Sequence, residues 1–344
     1  MGKQRLGIGK RRSKSAEKPE SEAKSSGNYI DTFVKRMFGR VLVFSDFLVN
    51  YADAEFLAEI DLKKIMPAPT HYIGQKGDER IVDLVFQCPL KSGGNLMAVI
   101  VFEHQNRSLK KIPRKLHKYI SSIWDAETKE GKKVLSAPYF IVLRTGRKPH
   151  RGPKPVMSDS LPKGRNGKPL GKKVEIDYDV VDLPAWEFDQ LVGGPVLRLA
   201  MGILKKMLEG DEDEWPEALL PLREISDEEQ RIELTKELLE FVANAFAAHN
   251  RRLDEAMLSR ALKPIFKDKE RFMIATIFEE REMKAAARGE AKGRVLAILQ
   301  TRFRKVPKDI EKAVRAMVDL TALKSLAVNA ETCQSLEEFS ETLK

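Results

Sequence analysis

IVDLVF (residues 81–86) and MAVIVFEHQ (residues 97–105) are two apolar runs, each carrying an acid: Asp83 in the first, Glu103 near the end of the second. Short apolar runs rich in β-branched and aromatic residues, bounded by turn residues, read as buried strands. The connection between them contains KSGGN (residues 91–95), so the two strands read as an antiparallel hairpin. A charged carboxylate in the core of a sheet is costly unless something compensates it. A divalent metal ion is one such compensation.

Register decides whether the two acids meet. Side chains alternate along a strand, which puts Val101, Glu103 and Gln105 on one face and Phe102 and His104 on the other. With the turn centred on Gly93, opposed positions sum to 186 and Asp83 faces Glu103. Opposed Cβ atoms lie roughly 4.5–5.5 Å apart, within reach of one shared ion. A two-residue Gly93-Gly94 turn changes the sum to 187 and sends the acids to opposite faces. The metal reading therefore requires an odd-length connection or a bulge, and Pro89 is a source of local irregularity. Two plainer readings stand beside it: Asp83 at an exposed strand edge, and Glu103 at a strand end in water. Composition and spacing leave them open.

The stretch from Asp83 through Glu103-His104-Gln105 to Tyr119, Ile123 and Trp124 (KYISSIW, residues 118–124) resembles a known pattern. It is similar to the recombination-promoting nuclease and transposase-like family of the PD-(D/E)XK nuclease superfamily. There an aspartate strand is followed by an EHQ strand and then by a helix with a tyrosine and an Ile-Trp pair. Ile30 to Phe38 resembles the family's opening His-Asp-x-x-Phe-Lys-x-x-Phe, VLRLAMGILKK (residues 196–206) its leucine-rich helix, and the segment from Arg288 its helical linker and small carboxy-terminal domain. The resemblance runs from about residue 28 to the end. Four positions depart from it: Ile30 for histidine, Val34 for phenylalanine, Val82 for serine before the aspartate, and Asn106 for serine after EHQ.

The resemblance implies an α/β fold: a restriction-endonuclease-like core, with a mixed central sheet flanked by helices, followed by a mainly helical carboxy-terminal half. It implies a metal-dependent endonuclease acting on DNA, with Asp83 and Glu103 as ligands of Mg²⁺ or Mn²⁺ and Asp31 as a further acid. Gln105 stands where the superfamily places a lysine. An amide can hold the attacking water by hydrogen bonds but brings no positive charge. That charge must come from the metal or from Lys and Arg nearby. Two other functions remain open on the sequence: a DNA-binding or recombination-accessory protein that has lost cleavage, and a purely structural protein that interacts, or self-associates as a homo-oligomer, through its helical half.

Charge agrees with a polyanionic partner. The 344-residue chain has a formal net charge of +10, unevenly distributed. Arg107 to Lys118 holds six basic residues and no acid, and Arg144 to Lys173 is dense in Lys, Arg, Pro and Gly with Asp159 its only acid. Residues 1–24 are also basic, whereas Glu209 to Glu229 is acidic. A solvated surface is the ordinary explanation of any one such run; two of them flanking one strand next to the acids weaken it. GRNGKPLGKK (residues 164–173) lacks the spacing of a phosphate-binding loop. The chain shows neither a secretory signal nor an apolar run of membrane-spanning length. Cys88 and Cys333 lack metal spacing, and with the missing signal they point to a reducing, cytoplasmic setting.

The chain divides by composition into a disordered basic tail (1–27), the α/β core (28–190) with its basic loop at 145–173, a helical extension (191–270), a long helical linker (271–304) and a small helical domain (305–344). Within the core, helices are predicted from about Asp31 and Ser45, a helix over Leu109–Thr128 carrying the first basic run on one face, a buried strand over 138–144, and a further strand over 174–183.

Overall fold

The computed structural model describes residues 20–68, 71–73, 79–81, 84–93, 97–105, 108–163, 168, 175–209, 214–249, 251–317 and 319–343. The chain forms two units, divided between Asp254 and Glu255.

The first unit is built on a mixed sheet. Its strands are β1 (Met66–Ala68), β4 (Leu84–Pro89), β5 (Met97–Gln105), β6 (Ala137–Arg144) and β7 (Asp179–Asp182), in the order β1-β4-β5-β6-β7. A separate antiparallel pair is formed by β2 (His71–Ile73) and β3 (Glu79–Ile81). β1, β4 and β5 pair antiparallel, and β5, β6 and β7 pair parallel. Parallel neighbours need a crossover. Between β5 and β6 it is α4 (Ile112–Lys129).

Of the two registers weighed, the β4–β5 ladder takes the one centred on Gly93: Leu84 opposes Phe102, Val85 opposes Val101, and so on to Pro89 opposite Met97, every pair summing to 186. The connection 90–96 is accordingly odd in length, and Gly93 takes φ +84°, a conformation that glycine adopts without strain.

Alternation along these strands gives the sheet two different faces. On one, Val85, Val99, Phe140 and Val142 pack against Leu109, Ile112, Leu116, Tyr119 and Ile123. These last residues recur every three or four positions, so α4 presents a continuous apolar stripe to the sheet. Pro113 in its first turn suits a helix start, where a missing N–H is harmless. On the other face lie α1 (Glu20–Phe38) and α2 (Val41–Tyr51). Phe44 stacks on Phe86 with ring centroids 3.9 Å apart, Phe38 stacks on Phe102 at 5.1 Å, and Phe47 meets Phe102 edge-on at 5.4 Å.

α3 (Ala54–Glu59) leads from α2 towards β1. After β7 come α5 (Pro195–Glu209), a 3₁₀ segment over Trp215–Glu224, and α6 (Glu228–Ala248). α6 packs on α1, where Phe241 stacks on Phe33 at 4.1 Å and Glu237 pairs with Arg40.

The second unit is helical. It comprises α7 (Glu255–Phe266), the 34-residue α8 (Glu270–Phe303), α9 (Lys308–Ala316), α10 (Leu320–Thr332) and α11 (Leu336–Glu341). Val295, Leu296 and Leu299 near the end of α8 share a core with Val314, Leu323 and Phe339. The architecture is thus mixed α/β with a largely helical carboxy-terminal half. No helix among the described residues is long and apolar enough to cross a membrane.

Three element boundaries differ from expectation. α1 starts at Glu20 instead of Asp31, carrying the Ser25-Ser26-Gly27 run within the helix; residues 1–19 of the expected tail lie outside the described residues. α2 starts at Val41, four residues before Ser45, because Val43 and Phe44 are already buried against the core. Of the strand expected over 174–183, only Asp179–Asp182 joins the ladder. The residues before it bond to the basic loop: Lys154 donates to Asp177 and to the Tyr178 carbonyl (2.5 and 2.6 Å), and the Met157 N–H donates to Glu175 (2.8 Å).

Candidate active site

Glu103 sits near the carboxy-terminal end of β5 and is fully buried, with 0% of its surface exposed. The reading of Glu103 as a strand end in water is therefore wrong. Its alternation partners Val99 and Val142 belong to the α4 face, and α4 supplies its neighbours. Lys115 Nζ forms a salt bridge to Oε1, and the Tyr119 hydroxyl donates to Oε2 at 3.3 Å. Lys115 and Tyr119 are one helical turn apart, so one face of α4 delivers both. The ammonium also lies 5.5 Å from the Tyr119 ring centroid. Lys115 spans the boundary, its side chain 41% exposed while the carboxylate it meets is enclosed.

A buried carboxylate matched by a cation is what the desolvation cost demands. Its oxygens are also the hard donors that Mg²⁺ and Mn²⁺ take, so Glu103 fits one position in such a site. Among the described residues no group of three or more His, Cys, Asp or Glu is placed to hold a metal ion. Asp83, the other predicted ligand, lies outside the described residues, one position before Leu84. For Gln105 the backbone alone is described: it closes β5 and pairs in register with Arg144 of β6.

Asp31 is on α1 and pairs with Lys35, one turn along the same helix, at 2.9 Å. α1 meets the sheet through Phe38 against Phe102, the face opposite Glu103.

Arg144 shares the α4 face, two residues beyond Val142, and forms a salt bridge with Asp182 of β7. Asp182 also accepts from the His150 N–H at 2.6 Å, tying the start of the basic loop to the end of the sheet. On the other face His104 meets the Thr145 hydroxyl at 2.6 Å. The first basic run lies where it was predicted: Lys110, Lys111, Arg114 and Lys118 are exposed along α4 and the turn before it, while Ile112, Leu116 and Tyr119 are buried.

A second buried acid lies at the far end of α4. Glu127 accepts from the Ser136 hydroxyl at 2.5 Å, the Ser136 N–H at 2.9 Å and Lys132 at 3.1 Å. Burial pushes its pKa up, but the Ser136 bonds and Lys132 outweigh burial and hold the carboxyl below its ordinary value. At the sheet's edge the Tyr139 hydroxyl donates to Asp179 and accepts from the Asp53 N–H at 2.9 Å. Burial first, and then the Asp179 acceptor, raise its pKa far above the usual phenol range, so it keeps its proton.

The sequence profile of the family described as "Putative transposase, YhgA-like" matches residues 28–233, more than half of the 344-residue chain. The chain belongs to this family. No curated protein and no solved structure matches it. The matched stretch of the transposase-family chain contains Asp31, Asp83, Glu103 and Gln105 together with all of α4. Membership associates it with mobile genetic elements.

Lys115 was the member of this cluster least visible in the sequence. It sat inside a basic run that reads as a solvated face, and its distinguishing signal is position: one turn before Tyr119, on the side of the helix that turns towards the sheet.

Proposed function

We propose that this transposase-family chain is a metal-dependent DNA endonuclease on a PD-(D/E)XK core. The observation that carries the reading is the fully buried Glu103 on a strand whose ladder to β4 sums to 186. The last pair of that ladder, Leu84 opposite Phe102, involves the residue after Asp83 and the residue before Glu103. The family's association with mobile elements makes DNA the natural substrate.

In the reaction a water oxygen bonds to phosphorus, the bond from phosphorus to one sugar oxygen breaks, the water gives up a proton and the leaving oxygen gains one. Mg²⁺ held by Asp83 and Glu103 would offset the charge on the phosphate and lower the pKa of a bound water. The Gln105 amide would orient the water without adding charge. The exposed Lys110, Lys111 and Arg114 hold the DNA backbone, which fixes its position without reading sequence.

The deciding test is plasmid cleavage in Mg²⁺ by wild type, Asp83→Ala and Glu103→Gln. Cleavage by wild type and its loss in both variants is the expected result; equal cleavage by all three rejects the assignment. The neutral residue at Gln105 favours one alternative, a nuclease fold that binds DNA without cutting. DNA binding with no cleavage in Mg²⁺ or Mn²⁺ would select it.

A further inference from the structure

We infer that Lys115 supplies the positive charge that Gln105 lacks: it holds Glu103 in the metal-free protein, yields the carboxylate to the ion, and then engages the scissile phosphate. This rests on the proposed endonuclease function and extends it to a further catalytic residue.

Three observations meet at Lys115. Its ammonium bonds the carboxylate assigned to the metal, so it is already at the chemical centre. It reaches there from α4 with a side chain 41% exposed, so on release the ammonium can move towards solvent without crossing the core. The position two residues after Glu103 is occupied by an uncharged amide, so the strand itself brings no cation. Arg144, in register with Gln105, is committed to Asp182.

An ammonium and a divalent ion compete for the same oxygen. Losing the lysine must therefore strengthen ion binding while weakening catalysis, because like charges close together disfavour one another. A structural prop would behave differently: its loss would weaken both. This opposition of sign is the signature of the proposed role.

The experiment compares wild type, Lys115→Met and Lys115→Arg in full-length protein. Mn²⁺ affinity is measured without DNA by electron paramagnetic resonance, cleavage is measured at saturating metal and DNA, and circular dichroism verifies folding. Lys115→Met is expected to bind Mn²⁺ tighter, on the order of tenfold, and to lose on the order of 100-fold in kcat, with DNA affinity nearly unchanged. Lys115→Arg should recover much of the kcat. Unchanged or weaker Mn²⁺ binding by Lys115→Met overturns the inference, and so does an unchanged kcat. If wild type binds Mn²⁺ and cuts DNA while Lys115→Met matches it in both assays, the endonuclease reading survives and the inference alone fails. If wild type binds no Mn²⁺, both fail. Should Lys115→Met not fold, Lys115→Gln gives the same two readouts.

Discussion

Two buried glutamates sit at opposite ends of one helix, and they are held in opposite ways. Glu127, near the carboxy-terminal end of α4, is clamped by a backbone N–H, a hydroxyl and an ammonium, all from the short segment 132–136 that follows the helix. Glu103 faces the amino-terminal half of α4 and meets the end of a half-exposed lysine and a tyrosine hydroxyl. The first arrangement is local and rigid, and its product is a defined turn into β6. The second joins a strand to a helix through a lysine whose side chain is 41% exposed. Burial alone therefore does not distinguish the two acids; the setting of the partner does.

The largest expected effect breaks the pair apart by activity. Glu103→Gln should lower Mg²⁺-dependent cleavage by about 100-fold or more, the scale of losing a central electrostatic contribution. Its melting temperature should barely move, because Lys115 can return its charge to water. Glu127→Gln should do the reverse: a loss of about 2–3 kcal/mol in denaturant unfolding, with cleavage by the folded protein unchanged. If both variants lose activity alike, the two ends of α4 are not distinct.

The same comparison can be sharpened by pH. The folded-state pKa of Glu127 is depressed, so its contribution is present above the unfolded carboxylate value and is lost as pH falls through the folded one. The stability gap between wild type and Glu127→Gln should therefore be full near neutrality and shrink below about pH 4. Thermal melts of both proteins across that range measure it, and a gap independent of pH would mean that the carboxylate charge plays no part in the clamp.

Smaller effects belong to the groups around Glu103. Neutralising Lys110, Lys111 and Arg114 should weaken DNA binding on all sequences and flatten its salt dependence by roughly 0.9 in slope per lost phosphate contact. Saturated cleavage should change little. An unaltered slope would return these residues to plain solvated surface. Smallest is Tyr119→Phe, which removes one hydrogen bond to the carboxylate. Its cost is about 1 kcal/mol, read as a loss of less than about tenfold in kcat.

Much of the sheet was legible in the residues. The apolar runs and the alternation around Glu103 gave the β4–β5 pairing but left two registers open, with sums of 186 and 187, because the glycine pair admits turns of either length; the ladder takes the first. α4 was equally clear, its stripe and its basic face both following from spacing. Residues 175–178 were not, since their apparent strand pattern gives way to side-chain bonds with Lys154 and Met157 that lie far off in the chain. Lys115 escaped for a related reason: periodicity says which side of a helix is apolar, not which boundary lysine bends inward to a buried acid. Asp31 is named as a further acid by resemblance, and what the structure adds is its pairing with Lys35 on a helix that meets the sheet through Phe38 and Phe102.

The hairpin connection has a consequence for how this chain tolerates insertions and deletions. Adding or removing two residues between Pro89 and Met97 leaves the aromatic side of β5 towards α1 and α2 and the acidic side towards α4. A single-residue change does so only if the loop absorbs it; carried into the ladder, it would turn Phe102 or Phe86 towards the crossover helix or force a bulge. Length variation is thus absorbed within the loop and costly inside either strand, a rule set by counting and indifferent to which amino acids are gained or lost.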